Sequence, residues 1–289
     1  MTGPIRLVAI DADGTLLDPD GAIRPRVERA VRTAIAAGCQ VVLATGRRLQ
    51  SAGPIARQVG ISTLILVNGA VVYDLSSRET LYEHALSPAL CRRVVELIQS
   101  AGLPPVLLES PVAGARIVAG PPELDNPDTA AYLGRKDEVV RVLAERLPDL
   151  EHIVIALGMG DRARVARLED LAREEPLLDS IDWTSAVASS QKYGYLTYVV
   201  ELVARGVSKG AALRWLASGR GIPIEQTLAI GDYENDVSMV EAAGVGIAMG
   251  NAVPSVRAAA RAIVADNEHD GVAEAIEEWV LRNDLETVV

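Results

Sequence analysis

Leu7–Asp18 reads L-V-A-I-D-A-D-G-T-L-L-D. Four apolar residues run straight into two aspartates and a Gly-Thr turn. A short, unbroken apolar run suits a strand buried on both faces. In extended backbone alternate residues share a face, so Asp11 and Asp13 project the same way. In open parallel sheets, ligands bind beyond the carboxyl ends of the strands. Two carboxylates held together there repel, and both stay ionised only beside a cation or with a shared proton. Asp13-Gly14 alone would be ordinary turn chemistry. The paired acids at a strand end point to a site.

The same grammar recurs to either side. A helix over Pro25–Ala37 has proline in its first turn and Gly38 at its stop. Gln40–Ala44 is a strand ending in Thr45-Gly46-Arg47, and Thr63–Val67 is a strand ending in Asn68-Gly69. This β-α-β-α-β order starts a doubly wound sheet. After Ser87 the pattern changes. Helices are expected at Pro88–Ser100, Lys136–Leu147 and Ala163–Glu174. Strands are expected at Arg116–Ala119, His152–Leu157, Ser180–Val187 and Tyr195–Val203, the first inside a Pro/Gly-rich stretch, Gly102–Pro127. The first pattern then resumes with a strand, Thr227–Ile230, that ends in Gly231-Asp232. The expected fold class is α/β. Residues 1–84 and 203–289 would form a doubly wound parallel sheet core, Rossmann-like, with residues 85–202 an inserted α+β cap domain.

Composition narrows the function. The chain has 289 residues, a formal net charge of −11 and 49% hydrophobic residues. A sizeable core is affordable, and an evenly acidic surface argues against nucleic acid or an anionic membrane as main partner. No apolar run reaches membrane-spanning length, and the N-terminus turns acidic at Asp11, too early for a signal peptide. A cytoplasmic protein is the expectation. Cys39 and Cys91 have no metal-ligand spacing.

A second acidic run, Gly231-Asp232-Tyr233-Glu234-Asn235-Asp236, repeats the logic of the first. Oxygen ligands without histidine or cysteine favour a magnesium-like cation. Thr45 with the Gly46 N–H offers two donors to a phosphate oxygen. Lys209, one of three lysines, precedes an expected helix, where the dipole already favours anions.

Four stretches, Asp11-x-Asp13-Gly-Thr, Thr45-Gly-Arg47, Gly-Val-Ser-Lys209-Gly and Gly-Asp232-x-x-Asn235-Asp236, resemble the motifs of the haloacid dehalogenase superfamily of phosphatases, in their usual order. The insertion between the second and third resembles the class IIB cap of the Cof-type branch. The resemblance implies a nucleophilic Asp11 that forms an aspartyl-phosphate, and an Asp13 that serves as acid, then base. It implies magnesium on Asp11, on the Asp13 main-chain carbonyl and on Asp232, with Asp236 in support. Thr45, Gly46, Lys209 and Asn235 would hold the phosphoryl group, and Arg47 and Asn68 would reach substrate. The expected activity is magnesium-dependent hydrolysis of a small phosphorylated metabolite, taken to be a sugar phosphate. A sugar phosphomutase or phosphotransferase, or a non-catalytic phospholigand-binding protein, are the rival readings. The sequence leaves the oligomeric state open.

Overall fold

The computed structural model describes residues 3–136, 138–182 and 198–282. The chain divides into two compact units, Met1–Tyr82 with Ser208–Val289, and Glu83–Val207.

The first unit is built on an eight-stranded sheet. Its strands are β1 (Leu7–Ile10), β2 (Gln40–Ala44), β3 (Thr63–Leu66), β4 (Val71–Asp74), β5 (Glu79–Glu83), β12 (Thr227–Gly231), β13 (Val245–Ala248) and β14 (Ala262–Ile263). Their spatial order is β14-β13-β12-β1-β2-β3-β4-β5. From β14 to β3 every neighbouring pair is parallel. β4 turns back antiparallel on β3. Strand order reverses beside β1, which lies between β12 and β2. That reversal is the position where doubly wound sheets open a crevice at their carboxyl edge.

The apolar runs explain the burial. All of β1, β3, β12 and β13 is buried, as expected for strands with helices on both faces. Leu7, Ala9, Val42, Ala44 and Ile65 share a core with Leu213 and Leu216 of the helix Lys209–Gly219. The helix Pro25–Ala36 starts on its proline, and Leu49–Val59 ends at Gly60 in the left-handed conformation.

The second unit carries a six-stranded sheet. It contains β6 (Val106–Glu109), β7 (Ile117–Ala119), β8 (Val139–Arg141), β9 (Ile153–Gly160), β10 (Leu178–Asp182) and β11 (Tyr198–Ala204), in the order β10-β11-β9-β6-β7-β8. Its pairs are antiparallel except β7 with β8. Two expectations need correction here. Lys136–Leu147 is not a helix: Val139 and Val140 pair with β7, and a 3-10 helix runs Ala144–Asp149. β-branched residues beside a waiting edge outweigh helical spacing. β6 lies inside the Pro/Gly-rich stretch Gly102–Pro127, where only Arg116–Ala119 was expected as a strand, and a short helix, Pro127–Leu133, begins where that stretch ends. Residues 183–187 and 195–197 of two expected strands fall outside the described residues.

Candidate active site

Each acidic or polar residue singled out in the first unit follows the carboxyl end of a strand or starts a helix. Asp11 follows β1, and its backbone N–H continues the ladder onto the Ile230 carbonyl at 3.0 Å. Thr45 follows β2, and Asp232 follows β12. Asn68 lies in the turn after β3. Lys209 is the first residue of its helix, whose N-cap Ser208 accepts the Ala211 N–H at 3.1 Å.

Three hydrogen-bonded groups result. In the first, the buried Lys209 ammonium donates to Asp11 Oδ1 and to Asp236 Oδ1, each at 2.6 Å. The other Asp236 oxygen accepts the N–H groups of Asp232 and Tyr233 at 3.0 and 3.1 Å. Asp236 is thereby fixed and in turn fixes the lysine. Ligand oxygens of Asp11, Asp232 and Asp236 lie within 4.8 Å of one another. Thr15 donates to Asp232 Oδ1 at 2.7 Å, and the Asn251 amide reaches Asp232 Oδ2 at 3.3 Å and the Gly14 carbonyl at 2.9 Å.

In the second group, Arg47 grips Asp13, and the Arg47 N–H donates to Thr45 Oγ1 at 3.1 Å. Asp13 is largely exposed, unlike Asp11. In the third, the Asn235 amide donates to Asn68 Oδ1 at 2.9 Å, with Gly46 beside that same oxygen. Val67 and Asn68 both hold positive φ, 52° and 55°. Such backbone costs on the order of 1–3 kcal/mol per residue and persists where surroundings over-determine it. Here the Val67 and Asn68 N–H groups bond the carbonyls of Arg47 and Thr45. Gly69 packs against the start of the Lys209 helix, where a Cβ would lie 2.1 Å from the Ser208 carbonyl oxygen. Among the described residues, Thr45 and Asn235 make no hydrogen bond to Asp11 or Lys209.

Thr15 and Asn251 were not singled out in the sequence. Thr15 had a signal, standing next to Gly14 in the first motif. Asn251 had none, because its partners lie 19 and 237 positions away.

Electrostatics test the fit of a cation. Burial, then the negative charges of Asp236 and Asp232, push the Asp11 carboxyl well above its ordinary value despite Lys209. Burial chiefly raises the Asp232 carboxyl to about 7, against the Thr15 hydrogen bond. Burial would lower Lys209, but Asp11 and Asp236 outweigh it and raise the ammonium. One ammonium does not offset three buried carboxylates. An oxygen-only donor set with surplus negative charge suits a hard divalent cation.

Comparisons with known proteins place the chain among relatives of known kind. The profile of the haloacid dehalogenase-like hydrolases matches residues 8–276. The chain is 30% identical to the 5-amino-6-(5-phospho-D-ribitylamino)uracil phosphatase YcsE of Bacillus subtilis, with 96% of each chain covered. It is 26% identical to the pyridoxal phosphate phosphatase YbhA of Escherichia coli, over 94% of this chain and 97% of that one. A haloacid dehalogenase-like hydrolase from Bacteroides thetaiotaomicron superposes with a TM-score of 0.77 at 27% identity, covering 94% of this chain and 98% of its own. No helix among the described residues is long and apolar enough to cross a membrane. With its sheet, its buried acids and its relatives, the chain belongs to the haloacid dehalogenase-like hydrolases and is an enzyme of their phosphatase kind.

Proposed function

We propose that the protein is a magnesium-dependent phosphatase of small phosphorylated metabolites, with sugar phosphates as its substrate class and Asp11 as its nucleophile. The observation that carries this reading is the Lys209 ammonium held 2.6 Å from both Asp11 and Asp236 at the carboxyl edge of the sheet. A phosphate monoester is a dianion, and its approach to an aspartate is repulsive. Lys209 offsets part of that repulsion from a fixed, buried position, where a charge acts strongly and needs no reorganisation.

Asp11 and Asp232 would hold magnesium with the Asp13 main-chain carbonyl, and Asp236 would support it from behind. Bound there, the cation keeps the carboxylates ionised and neutralises charge on the phosphoryl oxygens. Asp11 attacks phosphorus, and the ester oxygen leaves with a proton from Asp13. Asp13, now a carboxylate, takes a proton from the water that attacks the aspartyl-phosphate. Asp11 is regenerated and inorganic phosphate is released. Splitting the reaction this way replaces one hard step with two easier ones. Thr45, Gly46 and Asn235 serve as phosphoryl donors, while Arg47 and Asn68 face substrate. The inserted unit, Glu83–Val207, selects the substrate. Its place in the chain, between the second and third motifs, supports that assignment. The ribitylaminouracil phosphate and pyridoxal phosphate named for two relatives are both small phosphomonoesters, which supports the substrate class.

The test separates the two aspartates. Asp11→Asn should form no phosphoenzyme. Asp13→Asn should release a burst of nitrophenol from p-nitrophenyl phosphate and keep the phosphoryl group, visible by intact mass as a gain of about 80 daltons. Neither burst nor adduct in a slowly turning Asp13→Asn variant rejects the assignment of Asp13. Isomerised product from a bisphosphorylated sugar would favour the phosphomutase reading.

A further inference from the structure

A half-open pocket lies in the first unit, lined by Leu49, Gln50, Arg57, Tyr73, Leu75 and Arg78, with a volume of about 280 Å³. Its walls come from the helix Leu49–Val59 and from the β4 hairpin. None of these residues belongs to the three groups described above. Neither the Arg57 nor the Arg78 side chain makes an ion pair or hydrogen bond among the described residues, and the Tyr73 hydroxyl has no partner there either. The hairpin is shaped locally: Asp74 Oδ1 accepts the N–H groups of Ser76 and Ser77, each at 2.8 Å, and Arg78 then turns at φ 60°.

The chemistry of the walls is specific. Two guanidinium groups supply fork-shaped donors suited to a carboxylate, phosphate or phosphonate. Leu49, Leu75 and the Tyr73 ring supply an apolar surface for the body of a ligand. Some arginines of this unit meet acids, as Arg24 meets Asp270 and Arg26 meets Glu277, while Arg220 meets Gln40 and Thr63 instead. In a chain of net charge −11, Arg57 and Arg78, both exposed, bring two positive charges to this lining, with Asp74 of the same hairpin committed to the N–H groups of Ser76 and Ser77. The size is at the lower end for small-molecule sites, enough for one ring and its anionic group.

We infer that this cavity binds a small amphiphilic anion, an apolar ring or chain bearing one phosphate, phosphonate or carboxylate, independently of the phosphatase site. The helix that forms one wall begins two residues after Arg47, so an occupant touches the element that follows the Asp13 clamp.

The test uses the full-length protein with phenylphosphonate, benzoate and benzyl alcohol as probes. Intermolecular NOEs should run from phenylphosphonate and benzoate ring protons to the Leu75 methyls and the Tyr73 ring. Benzyl alcohol, which lacks the charge, should give none. Arg57→Gln/Arg78→Gln should weaken phenylphosphonate at least tenfold at this site and leave kcat/KM for p-nitrophenyl phosphate unchanged. Arg57→Lys/Arg78→Lys should recover part of the affinity. Three results overturn the inference: no NOE to Leu75 or Tyr73, equal binding by the Gln double variant, or binding of benzyl alcohol as tight as that of the anions. Because the readout is contact at Leu75 and Tyr73, loss of the phosphatase reading would leave the inference standing, and the reverse holds too.

Discussion

Arg47 holds the Asp13 carboxylate with two prongs, Nε to Oδ2 at 2.7 Å and Nη2 to Oδ1 at 2.5 Å. The pair is part-exposed, so it contributes little to stability, under about 1 kcal/mol. It does fix the direction of the acid. Arg47→Ala should therefore leave thermal unfolding within about 2 °C of the parent. It should lower kcat/KM about tenfold for alkyl phosphates, whose leaving oxygen needs the Asp13 proton, and less for p-nitrophenyl phosphate. Equal losses on both substrates would contradict a positioning role.

Lys209→Met removes the ammonium and leaves Asp11 and Asp236 buried without their common partner. Breaking a buried pair from one side costs about 3–5 kcal/mol. Urea unfolding at pH 8 with a chelator present should show a loss of that size. Magnesium should restore part of it. A loss below about 1 kcal/mol would mean that solvent reaches the pair.

The Asp232 carboxyl is raised by burial, from 3.8 to about 7. Between those values the native state keeps a proton that the unfolded chain has released, so stability falls as pH rises. The metal-free protein should melt lower at pH 8 than at pH 5. Magnesium, which favours the ionised carboxylate, should narrow or reverse that difference. Asp232→Asn removes that titration but leaves the raised Asp11 carboxyl, so it should reduce rather than abolish the metal-free slope, and it should raise the magnesium needed for half-maximal activity.

Gly14 and Gly21 hold nearly the same backbone, φ +80° and +79°, in different surroundings. A Cβ on Gly14 would lie 2.3 Å from Asp232 Oδ2, and one on Gly21 would meet nothing within 4 Å. Alanine at either position should cost about 1–2 kcal/mol for the left-handed conformation. Only Gly14→Ala should also shift the magnesium titration, because it displaces a proposed ligand. A magnesium titration of both variants separates conformational strain from damage to the site.

What the sequence conveyed and withheld follows physical lines. β1, β3 and β12 were legible because burial on both faces leaves an unbroken apolar run ended by a polar turn. Asp11 and Asp232 were legible as candidates because each follows such an ending, and Lys209 and Asp236 because each stands at the start of a helix. β6 was missed because it lies inside the Pro/Gly-rich stretch Gly102–Pro127, directly after Pro104-Pro105. Lys136–Leu147 was misread because Val139 and Val140 serve a helix or an edge strand equally well, and only the β7 edge decides between them. The short helix Pro127–Leu133 carried an Asn126 N-cap signal that its length concealed. The Arg47–Asp13 clamp and the Asn251 support were not legible, since both depend on loops that meet across the sheet edge.

The salt bridge from Lys209 to Asp11 joins positions 198 apart, and β1 pairs with β12 from the far end of the chain. Synthesis on the ribosome proceeds at roughly 5–20 residues per second, so Asp11 emerges on the order of ten seconds or more before Lys209 and Asp236 exist. During that interval one edge of β1 has no neighbour, and an apolar strand edge is a hazard for aggregation. Asp11, the proposed nucleophile, begins life as an ordinary solvated acid. It becomes a buried one, paired with Lys209, only when the last third of the chain arrives.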